Sequence, residues 1–342
     1  MSNNRYRRPQ YSVLLFSALF LFGFRPHGAI AQPPQDKNTP LEYIKPTGRK
    51  PFQVVRIEGQ TVFAAPGAKG ESSATGVRIT LFRSPQASVA TISSKENGRF
   101  AFQSVAPGDY TLIVGADGLQ PLSIPIQVEA DHPQNAAQRP ALLLHLRQTE
   151  DKRNSFVTPI TNPALRAELL QMVKEDQDIR NTWIQHGVDH PDKAIEDRMS
   201  EIDAHNLERM KEIVRQYRWP GPDLVGVDGS EAAFLLVQHA QLTFQKEMLP
   251  HVRRAYRAGQ LQGQDYALLL DRVLVGEGKP QVYGTQAKPI AEWNGQEPTL
   301  YPIQDEANVD KRRAEVGLFP LAEYRKMMKE MYFPQKQQKD KP

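Results

Sequence analysis

Apolar and polar positions alternate along the chain as far as about residue 147, and a spacing of three to four takes over beyond it. Val77-Arg78-Ile79-Thr80-Leu81 and Tyr110-Thr111-Leu112-Ile113-Val114 put alternate residues on one face, the pattern of a strand with one side buried. Similar runs span Phe52 to Ile57, Ala87 to Ile92, Phe100 to Val105, Leu122 to Val128 and Ala141 to Leu146. Turn-forming stretches separate them: Glu96-Asn97-Gly98, Pro107-Gly108-Asp109 and Ala116-Asp117-Gly118. Short strands at this spacing predict an antiparallel β-sandwich over 52–147, after a Pro-rich lead over 32–51. A linker over 148–161 then leads to a mainly α-helical domain over 162–332, and a polar tail covers 333–342.

In the helical part, Pro163 suits a first turn, and Leu165, Leu169, Met172, Asp176, Ile179 and Trp183 form one stripe. After Pro191 a second stripe reads Ile195, Met199, Ile202, Asn206, Met210, Ile213 and Tyr217, and Trp219-Pro220-Gly221-Pro222 ends it. A third helix is expected to be capped at Asp228-Gly229-Ser230-Glu231, to carry Leu235, Leu236, His239 and Leu242, and to be interrupted at Pro250. A fourth spans 264–275, an extended Gly-containing segment spans 276–286, and short helices follow at 309–316 and 321–332.

Charge matters mainly for what it excludes. The chain holds 43 Lys+Arg and 39 Asp+Glu, but Arg5, Arg7, Arg8 and Arg25 lie in the first 31 residues, which contain no acid. The remainder carries 39 of each sign and offers no electrostatic basis for nucleic-acid or anionic-membrane binding. Those arginines flank an apolar run from Tyr11 to Phe24, followed by Ala29-Ile30-Ala31 before Gln32, which is the order of a secretory signal peptide cleaved between Ala31 and Gln32. The run is too short to cross a bilayer as a helix, which takes roughly 20 residues. The expected product is an extracytoplasmic protein, periplasmic or secreted, with no integral membrane segment and, lacking cysteine, no disulfide.

The polar interruptions in the helical stripes carry the candidate chemistry. Asp176, Asn206 and His239 sit at core-facing positions, and Asp271-Arg272 falls inside the apolar run of the fourth helix. A buried unpaired charge costs several kcal/mol, so these groups are expected to meet, either bracing the core or lining a polar pocket. In the pocket reading His239 acts as acid or base oriented by Asp271 or Asp176, and Arg272 clamps an anionic group. In Gln281-Val282-Tyr283-Gly284-Thr285-Gln286, alternation puts Gln281, Tyr283 and Thr285 on one side. Arg312-Arg313 could reach an anion but reads more simply as a pair of surface cations. Phosphate-loop, nucleophile-elbow and zinc-protease motifs are absent, and no sequence pattern names a cofactor or a metal.

Two resemblances follow from these residues. Asn97-Gly98-Arg99-Phe100-Ala101-Phe102 with Val105-Ala106-Pro107-Gly108-Asp109-Tyr110-Thr111-Leu112 resembles the core motif of carboxypeptidase regulatory-like, prealbumin-like modules, with Asn97 in place of the usual Asp. The resemblance implies a carbohydrate-binding-like sandwich fold. A glycan platform needs exposed rings, and Phe82 is the single candidate, read as a scattered surface aromatic.

The stretch from Leu165 to Met328 resembles a bacterial family of domains of unknown function. It does so through Glu175-Asp176-Gln177 with Arg180, Trp219-Pro220, Val237-Gln238-His239-Ala240, Asp271-Arg272, Gly278-Lys279-Pro280-Gln281-Val282-Tyr283-Gly284-Thr285-Gln286 and Arg312-Arg313. Gln241 stands where members usually carry Asp. The resemblance brings no reaction with it. The candidate set is therefore His239 and Asp271 as catalytic groups, with Asp176, Gln177, Arg180, Asn206, Gln238, Arg272, Gln281, Tyr283, Gln286 and Arg312 around a small polar or anionic ligand. The sandwich would position the helical domain or attach it to a surface. The alternative is a non-catalytic interaction protein whose inward polar residues only brace the core. For the leader, N-terminal sequencing of protein recovered from outside the cytoplasm should begin at Gln32; recovery of an intact Met1 would refute cleavage.

Overall fold

The computed structural model describes residues 40–46, 50–64, 71–84, 87–130, 141–151, 153–186 and 192–332. The expected cleavage at Ala31 and Gln32 and the polar tail lie outside the described residues. Among the described residues, ten strands form the N-terminal region: β1 (Phe52–Val54), β2 (Glu58–Phe63), β3 (Ser72–Ser73), β4 (Arg78–Ser84), β5 (Ala87–Ser93), β6 (Arg99–Ala101), β7 (Gly108–Gly115), β8 (Leu122–Val128), β9 (Ala141–Leu146) and β10 (Phe156–Ile160). One sheet runs β1-β8-β7-β4-β5 and the other β10-β9-β2-β3, with β6 also paired to β2. Ile79, Leu81, Leu112, Val114, Ile124 and Ile126 of the first sheet pack against Phe63, Leu142, Leu144 and Leu146 of the second, as the alternation requires.

Most pairings are antiparallel, but β1 with β8 and β2 with β9 are parallel, so the sandwich is mixed. The chain passes from one sheet to the other between Val54 and Glu58, so β1 and β2 cannot pair with each other. Each docks instead beside a strand from later in the domain.

Strands β2, β3 and β10 lie outside the runs that alternation predicts. β2 reads Glu58-Gly59-Gln60-Thr61-Val62-Phe63 and is buried from Gly59 onward. Its polar members are satisfied internally. Gln60 Nε2 donates to Ser73 Oγ (3.0 Å) and to the Asn97 carbonyl (2.8 Å), and Thr61 Oγ1 donates to the Ala74 carbonyl. β10 lies in the stretch expected to be a linker. It pairs along β9 at the sheet edge, the place where its Pro159 is tolerated. The lead is also engaged, since Leu41 N donates to Thr80 Oγ1 and the Tyr43 ring stands edge-on to Phe82 at 5.4 Å. Phe82 is therefore buried rather than a surface aromatic and offers no platform to a sugar.

The helices are α1 (Pro163–His186), α2 (Lys193–Tyr217), α3 (Pro222–His239), α4 (Leu242–Arg257), α5 (Gly263–Gly276), α6 (Val309–Glu315) and α7 (Leu321–Tyr332). α3 begins six residues ahead of the expected cap and is broken at Gly226 (φ 73°, ψ 169°). The interruption expected at Pro250 falls instead at Ala240-Gln241, where α3 ends and α4 begins. Pro250 stays within α4 on its exposed side, where an orphaned carbonyl can be met by water.

The two regions are joined through the outer face of the second sheet. Val62, Ala141, Leu143 and Ile160 pack on Val227, so β9 is covered on both faces. Beside this apolar patch, Gln60 Oε1 accepts from Val227 N (2.9 Å) and Asp228 N (3.4 Å), the amides that open the second part of α3. Arg166 of α1 donates two bonds of 2.8 Å to Asp228. Gly226 is required here twice over: its backbone conformation is essentially restricted to glycine, and a Cβ would lie 3.0 Å from both Gln60 Oε1 and Asp228 Oδ1. A second joint sets Gln262, ahead of α5, against the Glu71 carbonyl (2.7 Å), while the Glu71 carboxylate holds His145 and Arg147 (both 2.6 Å).

Gln60→Ala leaves several buried groups without partners at about 1–3 kcal/mol each, so its urea midpoint should fall clearly. All three tryptophans, Trp183, Trp219 and Trp293, lie in the helical region. Their fluorescence and the far-UV circular dichroism of both regions should therefore give coincident transitions in the wild type. Separate transitions would show that the interface does not couple the two regions.

Candidate functional site

The α-helical period brings four candidates together. Asp176 and Arg180 are one turn apart on α1, and Arg180 Nη1 donates to Asp176 Oδ1 at 2.7 Å. The other arm of the guanidinium reaches Asp203 Oδ1 on α2, also at 2.7 Å. Asp176 Oδ2 takes His239 Nδ1 from the end of α3 (2.7 Å) and the Gln177 side-chain amide (2.7 Å). Burial pushes the Asp176 carboxyl up, but His239 and Arg180 outweigh it and hold the group below its ordinary value. An ionised carboxylate only accepts, so the His239 proton sits on Nδ1 and Nε2 presents a lone pair. Burial lowers the His239 pKa to about 4, with the charges of Arg180 and Arg272 adding to the effect against the pull of Asp176. The ring is neutral at physiological pH.

On α2 and at the end of α3 several buried polar atoms have no hydrogen-bond partner. His239 Nε2, both amide atoms of Gln238, and Asn206 Nδ2 are buried without a hydrogen bond. Asn206 follows Asp203 by three residues on α2, and both reach inward. Arg272 is buried on α5, and desolvation lowers its pKa to about 10.

Asp271 belongs to a different arrangement. Its carboxylate accepts from Val282 N (2.7 Å), Tyr283 N (3.1 Å), Thr285 N (3.0 Å) and Thr285 Oγ1 (3.0 Å). Burial raises its pKa despite these donors. The group that orients His239 is Asp176, and Asp271 instead gathers the loop over 281–286. Gln281 closes the same loop, accepting from Gln286 N and donating to the carbonyls of Gln286 and Tyr301. Gln286 donates to Thr285 Oγ1. Tyr283 packs with Ala267, Val316 and Leu318, and burial raises its phenol to about 12. Arg312 donates to the Val282, Gln304 and Asp305 carbonyls. Arg313 is 1% exposed, reaches the carbonyls of Tyr283 and Phe319, and lies over the Tyr324 ring. This pair therefore ties α6 to the loop and is not a surface cation pair.

The candidate set read from the sequence leaves out Asp203, the second partner of Arg180, and does not name Thr285 as a partner of Asp271. Gln60 went unplaced because its partners on α3 lie across the domain junction, and Asp228, expected only as a helix cap, is held by Arg166 from α1. Among the described residues no group of three metal-ligating side chains occurs, and no helix is long and apolar enough to cross a membrane.

Comparison with known families agrees with this division of the chain. Residues 68–139 match the carboxypeptidase regulatory-like domain, within the sandwich. No curated protein matches the chain. The helical region, with the Asp176–His239 pair and the Asp271-bound loop, is matched over residues 163–336, just over half of the chain, and the protein thus belongs to the family of unknown function DUF6624.

Proposed function

We propose that the helical domain binds a small polar molecule at His239, Gln238 and Asn206, in a protein that works outside the cytoplasm. The observation that carries this reading is the set of four buried polar atoms without hydrogen bonds on those three side chains. Each such atom costs about 1–3 kcal/mol when left unmet, so a bound molecule that supplies the missing partners gains that much per contact. The inventory favours an uncharged ligand: His239 Nε2 and the Gln238 carbonyl accept, and the Gln238 and Asn206 amides donate. Both charges of the Asp176–Arg180 pair are already answered. A ring with a pKa of about 4 is a weak base at neutral pH, so His239 is better suited to position a hydroxyl or amide than to abstract a proton. The signal-peptide pattern ahead of Gln32 supports the extracytoplasmic address. The sandwich holds the helical domain through Gln60 and Asp228.

Asp271, Gln281, Gln286 and Arg312 serve the second of the two roles considered for the polar set. Their hydrogen bonds are made within one loop and its neighbours, which is the work of a brace.

Native mass spectrometry of the purified mature protein should show a retained small molecule that His239→Ala releases while the fold is kept. Asp271→Ala leaves four donors unmet and should cost more than about 3 kcal/mol in urea unfolding, with rapid amide exchange over 282–285. A bare wild-type mass, with equal destabilisation from both variants, would refute ligand binding.

Stability should also depend on the His239 ring between its unfolded pKa near 6.5 and its folded value of about 4. In that window the unfolded chain binds the proton and the folded one does not. Stability is therefore full above about pH 6.5 and falls by up to roughly 1.4 kcal/mol per pH unit as pH drops toward 4. His239→Gln should flatten that slope, and an unchanged slope would mean that the buried ring is not its source.

A further inference from the structure

A cleft of about 570 Å³ opens at the junction of the two regions, and none of His239, Gln238, Asn206 and Asp176 lines it. Its floor is the outer face of the β2–β6 pair. In that register Glu58 stands opposite Ala101 and Gln60 opposite Arg99, which puts Glu58 and Arg99 on one face, two register positions apart with the Gly59–Phe100 pair between them. The facing wall is the first two turns of α1, with Pro163, Arg166, Ala167 and Leu170, and Lys95 and Glu96 stand at the rim. Neither region has this cleft alone.

The charges in the cleft are separated but balanced. Lys95, Arg99 and Arg166 answer Glu58 and Glu96 of the lining together with Asp228 behind it. Asp228 is taken by Arg166 through two bonds of 2.8 Å, and the Arg99 guanidinium stays 3.8 Å from it, too long for a hydrogen bond. Arg99 keeps half of its side chain exposed. The positive end of the α1 dipole lies on the same side as Arg99 and Arg166. A lone anion would meet Arg99 and Lys95 but also Glu58 and Glu96, and a lone cation would meet the reverse. A molecule with both charges is matched at both ends, while Ala167 and Leu170 accept a short apolar body between them.

We infer that this cleft is a binding site for a zwitterion of the amino-acid or short-peptide class, with its carboxylate at Arg99 and Lys95 and its ammonium at Glu58. The assignment gives the sandwich a direct part in recognition, and it is independent of the ligand proposed at His239.

Isothermal titration of the mature two-domain protein with the dipeptide Ala-Ala, N-acetylalanine and alaninamide separates the two charges. Ala-Ala should bind, and N-acetylalanine and alaninamide should each bind about ten-fold more weakly, the worth of one charged hydrogen bond. Arg99→Ala and Glu58→Gln, both at residues that are not fully buried, should each reduce Ala-Ala binding by a similar factor. Arg99→Ala should remove the preference over alaninamide and Glu58→Gln the preference over N-acetylalanine. His239→Gln should leave all three titrations unchanged, so that failure at one site is told apart from failure at the other. Absence of heat with Ala-Ala at about 10 mM, equal binding of the three probes, or Ala-Ala binding untouched by Arg99→Ala would each overturn the assignment.

Discussion

The side-chain amide of Gln60 fixes how the two halves of this protein meet. Its nitrogen holds the Asn97 turn and Ser73 within the sandwich, and its oxygen takes the first amides of the second part of α3. Donor at one end and acceptor at the other is what the position demands. A carboxylate would lose both donors, and an aliphatic side chain would leave the Val227 amide unmet in the interior. α3 carries Gln238 and His239 at its far end, so the placement of the imidazole relative to Asp176 on α1 depends on the same anchor. The junction cleft depends on it too, because one wall comes from each side of the joint.

Two buried carboxylates show how similar burial leads to different roles. Asp271 is met by the amides of a single loop and by one hydroxyl, all from residues 282–285, so its charge is spent on local order. Asp176 is met by side chains from two helices and by its own neighbour, and one of those partners, His239, has a second nitrogen to offer. A carboxylate enclosed by backbone closes a site. One that orients an imidazole passes its polarity on to an atom that still needs a partner.

Much of this architecture could be read from the residues, because alternation and three-to-four spacing report directly on which face is buried. The strands from Arg78 to Val128 and the helical stripes through Leu169, Met210 and Leu268 follow that logic. β2 escaped it because Gln60 and Thr61 are buried polar residues, and their partners at residues 73, 74, 97 and 227 are invisible to local periodicity. β10 escaped it because Pro159 argues against a strand except at an edge, and edge position is a property of the assembled sheet. The inward polar residues could be found from their spacing. Their division between Asp176 with His239 and Asp271 with the loop over 281–286 could not, since both carboxylates occupy equivalent places in apolar stripes and only the packing of α1, α3 and α5 separates them.

β9 is buried on both faces, with Leu142, Leu144 and Leu146 toward the other sheet and Ala141 and Leu143 toward Val227. The surface of the sandwich under the helices is thus an internal one, and a change of volume at Val62 or Leu143 must be matched across the junction at Val227. The two halves are consequently constrained to change together. A recombination event that pairs this helical region with a foreign sandwich would have to bring a complementary sheet face, a glutamine at the place of Gln60 and room for a bare Gly226, or lose the junction altogether.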